Sequence, residues 1–265
     1  MTTDSDVGGV PGAGNALLEG AEPQSWHGDR NGVLVLHGFT ANPSSVRILA
    51  DAAAEAGWSV ELPLLPGHGT TIDDLIPTRF ADWLDAAEAA LVRLQQRCDR
   101  VVVMGLSMGG SLTLSLASTH PELAGLVCIN PAVQAPPETI AAVQTMVDAG
   151  VKWTVGIGSD VADPNSFENA YEETPLEPLL SLLIAADSVE FGPEDLKQPL
   201  LLVTSRQDHV VSPEDSVYLA ANYGGTVDHL WLSRSFHVAT RDYDRHLVTA
   251  TAIAFASDRF AEASG

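Results

Sequence analysis

Gly105-Leu106-Ser107-Met108-Gly109 sets a serine between two glycines, after an apolar run and before a helical one. That pattern suits a nucleophile. A sharp strand-to-helix turn strains the serine backbone and lifts its hydroxyl clear of the sheet, and side chains at the flanking positions would collide. The bland alternative is a tight turn whose serine only caps a helix. A serine hydroxyl is a weak nucleophile and needs a base. In sites built on such a turn, the chain order is Ser, then Asp or Glu, then His. His237 stands just after the final apolar run, in Ser235-Phe236-His237-Val238, so it can reach back to Ser107. His229 lies within that run and His246 in the last helical stretch, both poorly placed. His120 precedes Pro121 at a helix end, where capping suffices. His68 sits in a Pro/Gly loop at the rim, and His209 reads as a surface neighbour. Asp208, after Leu200–Thr204, is the candidate acid that fixes the His237 tautomer. The developing oxyanion needs two amides: that of Met108, and that of Phe39 in His37-Gly38-Phe39-Thr40.

Strands must hold these residues at one end of a sheet. Val33–Leu36, Ser59–Leu62, Arg100–Met104, Gly125–Ile129, Leu200–Thr204 and Asp228–Leu232 are short apolar runs that read as strands. Helical patterns cover Pro43–Ala56, Ala81–Gln96, Met108–Thr119, Pro213–Ala221 and Asp242–Phe260. Strands alternating with helices predict an α/β fold with a mostly parallel central sheet covered on both faces. Pro131–Asp195 breaks the alternation with helical pieces and no convincing strand. At about 60 residues it is too long for an ordinary connection. It is expected to be a small cap inserted before the penultimate strand, over the carboxyl ends where such sheets bind ligands. The expected organisation is a loose arm over 1–25, a core over 26–130 and 196–265, and a cap over 131–195.

Composition narrows the function classes. The chain of 265 residues carries 13 Lys+Arg against 35 Asp+Glu, a formal charge of −22. Such a surface repels phosphate backbones and anionic lipid, which argues against nucleic acid and against stable membrane insertion. Two cysteines, Cys98 and Cys128, make no disulfide framework and no metal pattern. The first residues lack the basic start and apolar stretch of a signal peptide, and no apolar run approaches a membrane span. A cytoplasmic protein acting on a small ester or lipid, with no metal or organic cofactor, is the expectation. The same three residues would equally serve a thioesterase, lactonase or acyltransferase. A non-catalytic binding protein on the same scaffold is the other alternative.

Taken together, Leu36-His37-Gly38-Phe39-Thr40, Leu65-Pro66-Gly67-His68-Gly69, Asp82-Trp83, Gly105–Gly110, Asp208-His209-Val210-Val211 and Phe236–Thr240 resemble bacterial carboxylesterases and monoacylglycerol lipases. These are small-cap members of the α/β-hydrolase superfamily, and the likeness runs from about Val33 to Phe260. It implies Ser107, Asp208 and His237 as the triad, with Phe39 and Met108 lending amides. Ile157-Gly158-Ser159-Asp160, Ala170-Tyr171-Glu172 and Thr174-Pro175 look like the cap of the bacterial monoacylglycerol lipases. That resemblance implies Ile157 at the border of the alcohol pocket and Glu168 as a sensor of glycerol hydroxyls. Apolar residues Met146, Val147, Trp153, Val155, Leu179, Leu180 and Leu183 would then line an acyl tunnel.

Overall fold

Four strands with wholly or almost wholly buried runs form the middle of the molecule. They are β2 (Asn31–Leu36), β4 (Arg100–Leu106), β5 (Gly125–Ile129) and β8 (Leu200–Ser205). The computed structural model describes residues 15–156, 158–192 and 195–261. A seven-stranded sheet has the order β1-β3-β2-β4-β5-β8-β9, with β1 at Gln24–Trp26, β3 at Ser59–Leu62 and β9 at Val227–Leu232. Every neighbouring pair is parallel except β1, which runs antiparallel to β3 along one edge. β1 was not legible in the sequence because Gln24-Ser25-Trp26 is too short to show a period.

Alternate residues of each strand serve opposite faces. Leu34, Leu36, Val103, Cys128 and Leu202 pack on one side, with α3 (Phe80–Gln95), α4 (Met108–Thr119) and α7 (Pro213–Asn222). Val33, Val35, Val102, Met104, Ile129 and Val203 pack on the other, with α1 (Arg47–Glu55) and α8 (Arg245–Ala261). Each buried Val or Leu contributes about 1.5–3 kcal/mol, so these two layers dominate the stability. α3 buries Phe80, Trp83, Ala87, Ala90, Leu91 and Leu94, the stripe expected of a 3.6-residue period. Its first turn is fixed by Arg79 N–H donating to Asp82 Oδ2 at 2.7 Å. Gly57, at φ 91°, follows the cap of α1, at the position just after the predicted helical pattern ends.

Two expectations changed in detail. The predicted helix over Pro43–Ala56 opens as a 3-10 turn, Pro43–Ser45, before α1. The last helix begins at Arg245 rather than Asp242; Asp242 lies in the turn before it, its carbonyl accepting Arg245 N–H at 3.1 Å. A one-turn helix, α2 (Ile72–Leu75), sits unforeseen in the breaker-rich loop.

The chain is tied to the core from Asn15, whose side-chain amide donates to Asp74 Oδ2 at 2.9 Å. Leu18 N–H donates to Gly69 O, and Ala21 is fully buried. Between β5 and β8 the chain leaves the sheet to form α5 (Pro137–Asp148), β6 (Trp153–Val155), β7 (Glu173–Pro175) and α6 (Leu176–Ser188). The sequence showed no strand there, yet β6 and β7 pair antiparallel. Three residues each, one of them a proline, cannot display a period of two. Among the described residues, no helix is long and apolar enough to cross a membrane.

Candidate active site

Ser107 joins β4 to α4 with φ 56° and ψ −118°. A side chain in that region is strained, and strain persists only where the surroundings enforce it. They do so here by close packing. A Cβ on Gly105 would lie 2.0 Å from Gly109 O, and one on Gly109 would lie 2.2 Å from Leu36 O. The flanking glycines are therefore sterically required. The Ser107 side chain makes no capping bond to α4, which removes the reading of a mere helix cap. Its backbone N–H donates to Ile129 O at 2.9 Å, tying the turn to the end of β5.

The loops after β8 and β9 are joined to each other, and Asn130, next to the Ile129 whose carbonyl accepts the Ser107 N–H, joins them to this turn. His237 Nδ1 lies 2.7 Å from Asp208 Oδ2, and the two side chains are 8% and 2% exposed. A carboxylate only accepts, so Nδ1 carries the proton and Nε2 keeps its lone pair. Asp208 Oδ1 accepts the amides of Val210 and Val211, both at 2.8 Å, which fixes the carboxylate. Burial alone would lower the His237 pKa. The bond and charge of Asp208, with smaller contributions from Glu168 and Asp160, outweigh it and raise the group above its ordinary value. Among the described residues, no hydrogen bond joins Ser107 Oγ to His237. Such bonds commonly tighten only once substrate is present.

Asn130 links the two halves. It ends β5 at φ 44°, and its Nδ2 donates to His237 O at 2.6 Å and to Ser205 Oγ at 3.1 Å. Its Oδ1 accepts Ser205 N–H at 2.7 Å. Asn130 is not among the residues the sequence singles out, because what it holds is a main-chain group of His237, 107 positions away.

Phe39 and Met108 flank Ser107 from β2 and α4. Among the described residues, neither backbone N–H has a hydrogen-bond partner, so both are open to an oxyanion. Gly38 passes Ser107 closely, but a Cβ there would sit 3.6 Å from Ser107 Cβ, an ordinary contact. Thr40, at φ 60°, completes the turn, and its carbonyl accepts Tyr171 N–H at 3.1 Å.

His37 and His68 lie behind that loop, both buried. Leu65 N–H donates to His37 Nε2 at 3.2 Å, so His37 is the Nδ1–H tautomer, directed at Gly38 O. Burial lowers its pKa to about 4 and keeps it neutral. His68 packs edge-on against Phe39 and Trp83, so it supports the loop from within rather than forming a rim.

The residues assigned to the inserted segment are divided. Ile157 lies outside the described residues. Glu168 is half-buried beside His237, and burial raises its pKa against the opposing Ser45 hydroxyl, His237 and Arg241. Leu180 belongs to a small core with Val143 and Leu176, and Val147, Leu179 and Leu183 pack on it between α5 and α6. Met146, Trp153 and Val155 are exposed, so this set does not form one tunnel. A groove of about 1610 Å³ runs between α1 and α8 past Arg47 and Ile253, and none of Ser107, Asp208 and His237 lines it.

This geometry can perform acyl transfer: a strained serine, a carboxylate-oriented imidazole and two open amides at the carboxyl end of a parallel sheet. Known proteins agree. Residues 28–242 match the family model described as serine aminopeptidase, S33. A thermostable monoacylglycerol lipase of Bacillus sp. (strain H-257) is 40% identical over 240 residues, covering 90% of this chain and 95% of that protein. A carboxylesterase of Bacillus subtilis (strain 168) is 27% identical over 230 residues, covering 86% and 92%. A solved structure reported for LipS and LipT, two metagenome-derived lipolytic enzymes, superposes with a TM-score of 0.86 at 39% identity, covering 92% of this chain and 100% of that one. The chain belongs to the serine aminopeptidase S33 family and has the α/β-hydrolase fold.

Proposed function

We propose that this protein is a serine hydrolase that cleaves carboxylic esters, chiefly monoacylglycerols, to a fatty acid and glycerol. The observation that carries the reading is the buried His237–Asp208 pair, on loops joined through Asn130 to the strained Ser107 turn. The ester class is supported by likeness to the Bacillus monoacylglycerol lipase and to the lipolytic enzyme structure.

His237 Nε2 takes the Ser107 proton as Oγ attacks the ester carbonyl. The oxyanion forms against the Phe39 and Met108 amides, at the amino end of α4, where the helix dipole favours negative charge. Asp208 stabilises the imidazolium that results. His237 then protonates the departing alcohol, and water releases the acyl group by the same steps in reverse order. No step requires a metal or organic cofactor. Glu168, beside His237 and with its pKa raised by burial, is positioned to hydrogen-bond a glycerol hydroxyl. We assign Ile157, next to Gly158 in the inserted segment, to the alcohol pocket. Residues 131–195 act as a cap over this end of the sheet. The free thiols of Cys98 and Cys128 suit a cytoplasmic location.

A substrate panel tests the reading. Monoacylglycerols should exceed triacylglycerols by about tenfold or more in kcat/KM, with aminoacyl anilides untouched. Preference for triacylglycerols, thioesters or amides would overturn it.

A further inference from the structure

Asp160 stands in the inserted segment, yet its carboxylate reaches both loops of the acid–base pair. Oδ2 accepts the backbone N–H of His237 at 3.0 Å and that of His209 at 3.2 Å. Oδ1 lies 2.8 Å from His209 Nδ1, and the Asp160 carbonyl accepts Val238 N–H at 3.1 Å. The side chain is only 13% exposed, so few of these bonds could be replaced by water without cost. His209 is itself mostly exposed, with its ring edge-on to Phe236 at 4.5 Å.

The consequence concerns His237. Its ring is fixed by Asp208, and its carbonyl by Asn130 at 2.6 Å. Its N–H has one partner, Asp160 Oδ2. Three bonds from three elements thus define the imidazole position, and one of them comes from outside the sheet. The segment around Asp160 is anchored in turn. Asp242, fully buried, accepts the amides of Ala162 at 2.8 Å, Asp163 at 3.0 Å and Phe236 at 2.8 Å. Tyr171 N–H donates to Thr40 O, and Asn42 Nδ2 donates to Asn169 O at 2.6 Å. Asp160–Tyr171 therefore braces the base loop, the acid loop and the oxyanion loop together.

We propose that Asp160 is a positioning residue for His237, through which the inserted segment holds the base and the acid loop in register with Ser107. A misplacement of about 1 Å at such a base lowers turnover by about a hundredfold, so one lost anchor matters more for rate than for binding. The charged groups facing His237 are Asp208 from the loop after β8, and Asp160 and Glu168 from the inserted segment. Removing the Asp160 charge also removes part of what favours the imidazolium.

Asp160→Asn and Asp160→Ala test this, with steady-state kinetics on the best ester and NMR titration of the His237 ring in substrate-free protein. The kinetic arm rests on the ester-hydrolase reading; the titration does not, so the two can fail separately. Asp160→Asn should lower kcat about 10- to 100-fold while KM changes less than about threefold. Asp160→Ala, which keeps no acceptor, should lose more, and the His237 midpoint should fall in both. Wild-type kcat with an unmoved His237 titration overturns the proposal, as does a rise in KM at constant kcat. If Asp160→Ala does not fold, Asp160→Asn decides both readouts.

Discussion

His237 must be neutral to accept a proton, and its surroundings favour the charged form. Asp208 at 2.7 Å, aided by Glu168 and Asp160, overcomes burial and raises the pKa above the ordinary 6.5. The sign follows directly. Protonated His237 cannot deprotonate Ser107, so kcat/KM should fall as pH drops through a midpoint above 6.5. Asp208→Asn should move that midpoint down and lower kcat by about 10⁴-fold, because the amide no longer selects the Nδ1–H tautomer. A pH–rate profile of both proteins checks this, and an unmoved midpoint would count against the pairing. At this scale the sequence was informative where chain order restricted the choice. Position relative to strand ends pointed to Ser107, Asp208 and His237, of which the structure pairs Asp208 with His237 and sets Ser107 in a strained strand-to-helix turn. Asn130 and Asp160 do not, because their role is to hold a main-chain group of a residue 107 or 77 positions away. No local pattern records such a contact.

The turn between β4 and α4 works because three elements approach it without side chains between them. Gly109 lets α4 lie against the end of β2, where an added Cβ would meet Leu36 O at 2.2 Å. Backbone cannot yield as a flexible side chain can, so Gly109→Ala should cost about 1–3 kcal/mol or more, and should lower kcat beyond what stability explains. Thermal unfolding and kinetics measured on the same preparation check it; wild-type values for both would mean that α4 is free to shift. Elements with long apolar runs or a clear helical stripe, such as β4 and α3, were legible because burial on both faces or one face writes itself into the residue pattern. β1, β6 and β7, three residues each, were not, since their pairing depends on what neighbours them in space. The apolar residues of α5 and α6 were legible as apolar but not as partners of one another.

The seven-stranded sheet gathers the loops of the candidate site at the carboxyl ends of β2, β4, β5, β8 and β9, and the inserted segment, with its own β6–β7 pair, is bonded to three of them. Chain order separates Phe39 from His237 by most of the fold, and the parallel register reunites them. The formal charge of −22 belongs to the whole chain; the acidic groups that bear on His237 are Asp208, Glu168 and Asp160. The proposed chemistry turns on a single serine that, activated by His237, forms a covalent acyl intermediate. Fluorophosphonate labelling followed by intact and peptide mass spectrometry reads that serine directly. The expected result is one adduct per chain, on Ser107, absent in Ser107→Ala and much slower in His237→Ala. An unlabelled wild-type protein, or an adduct on any other residue, would contradict it.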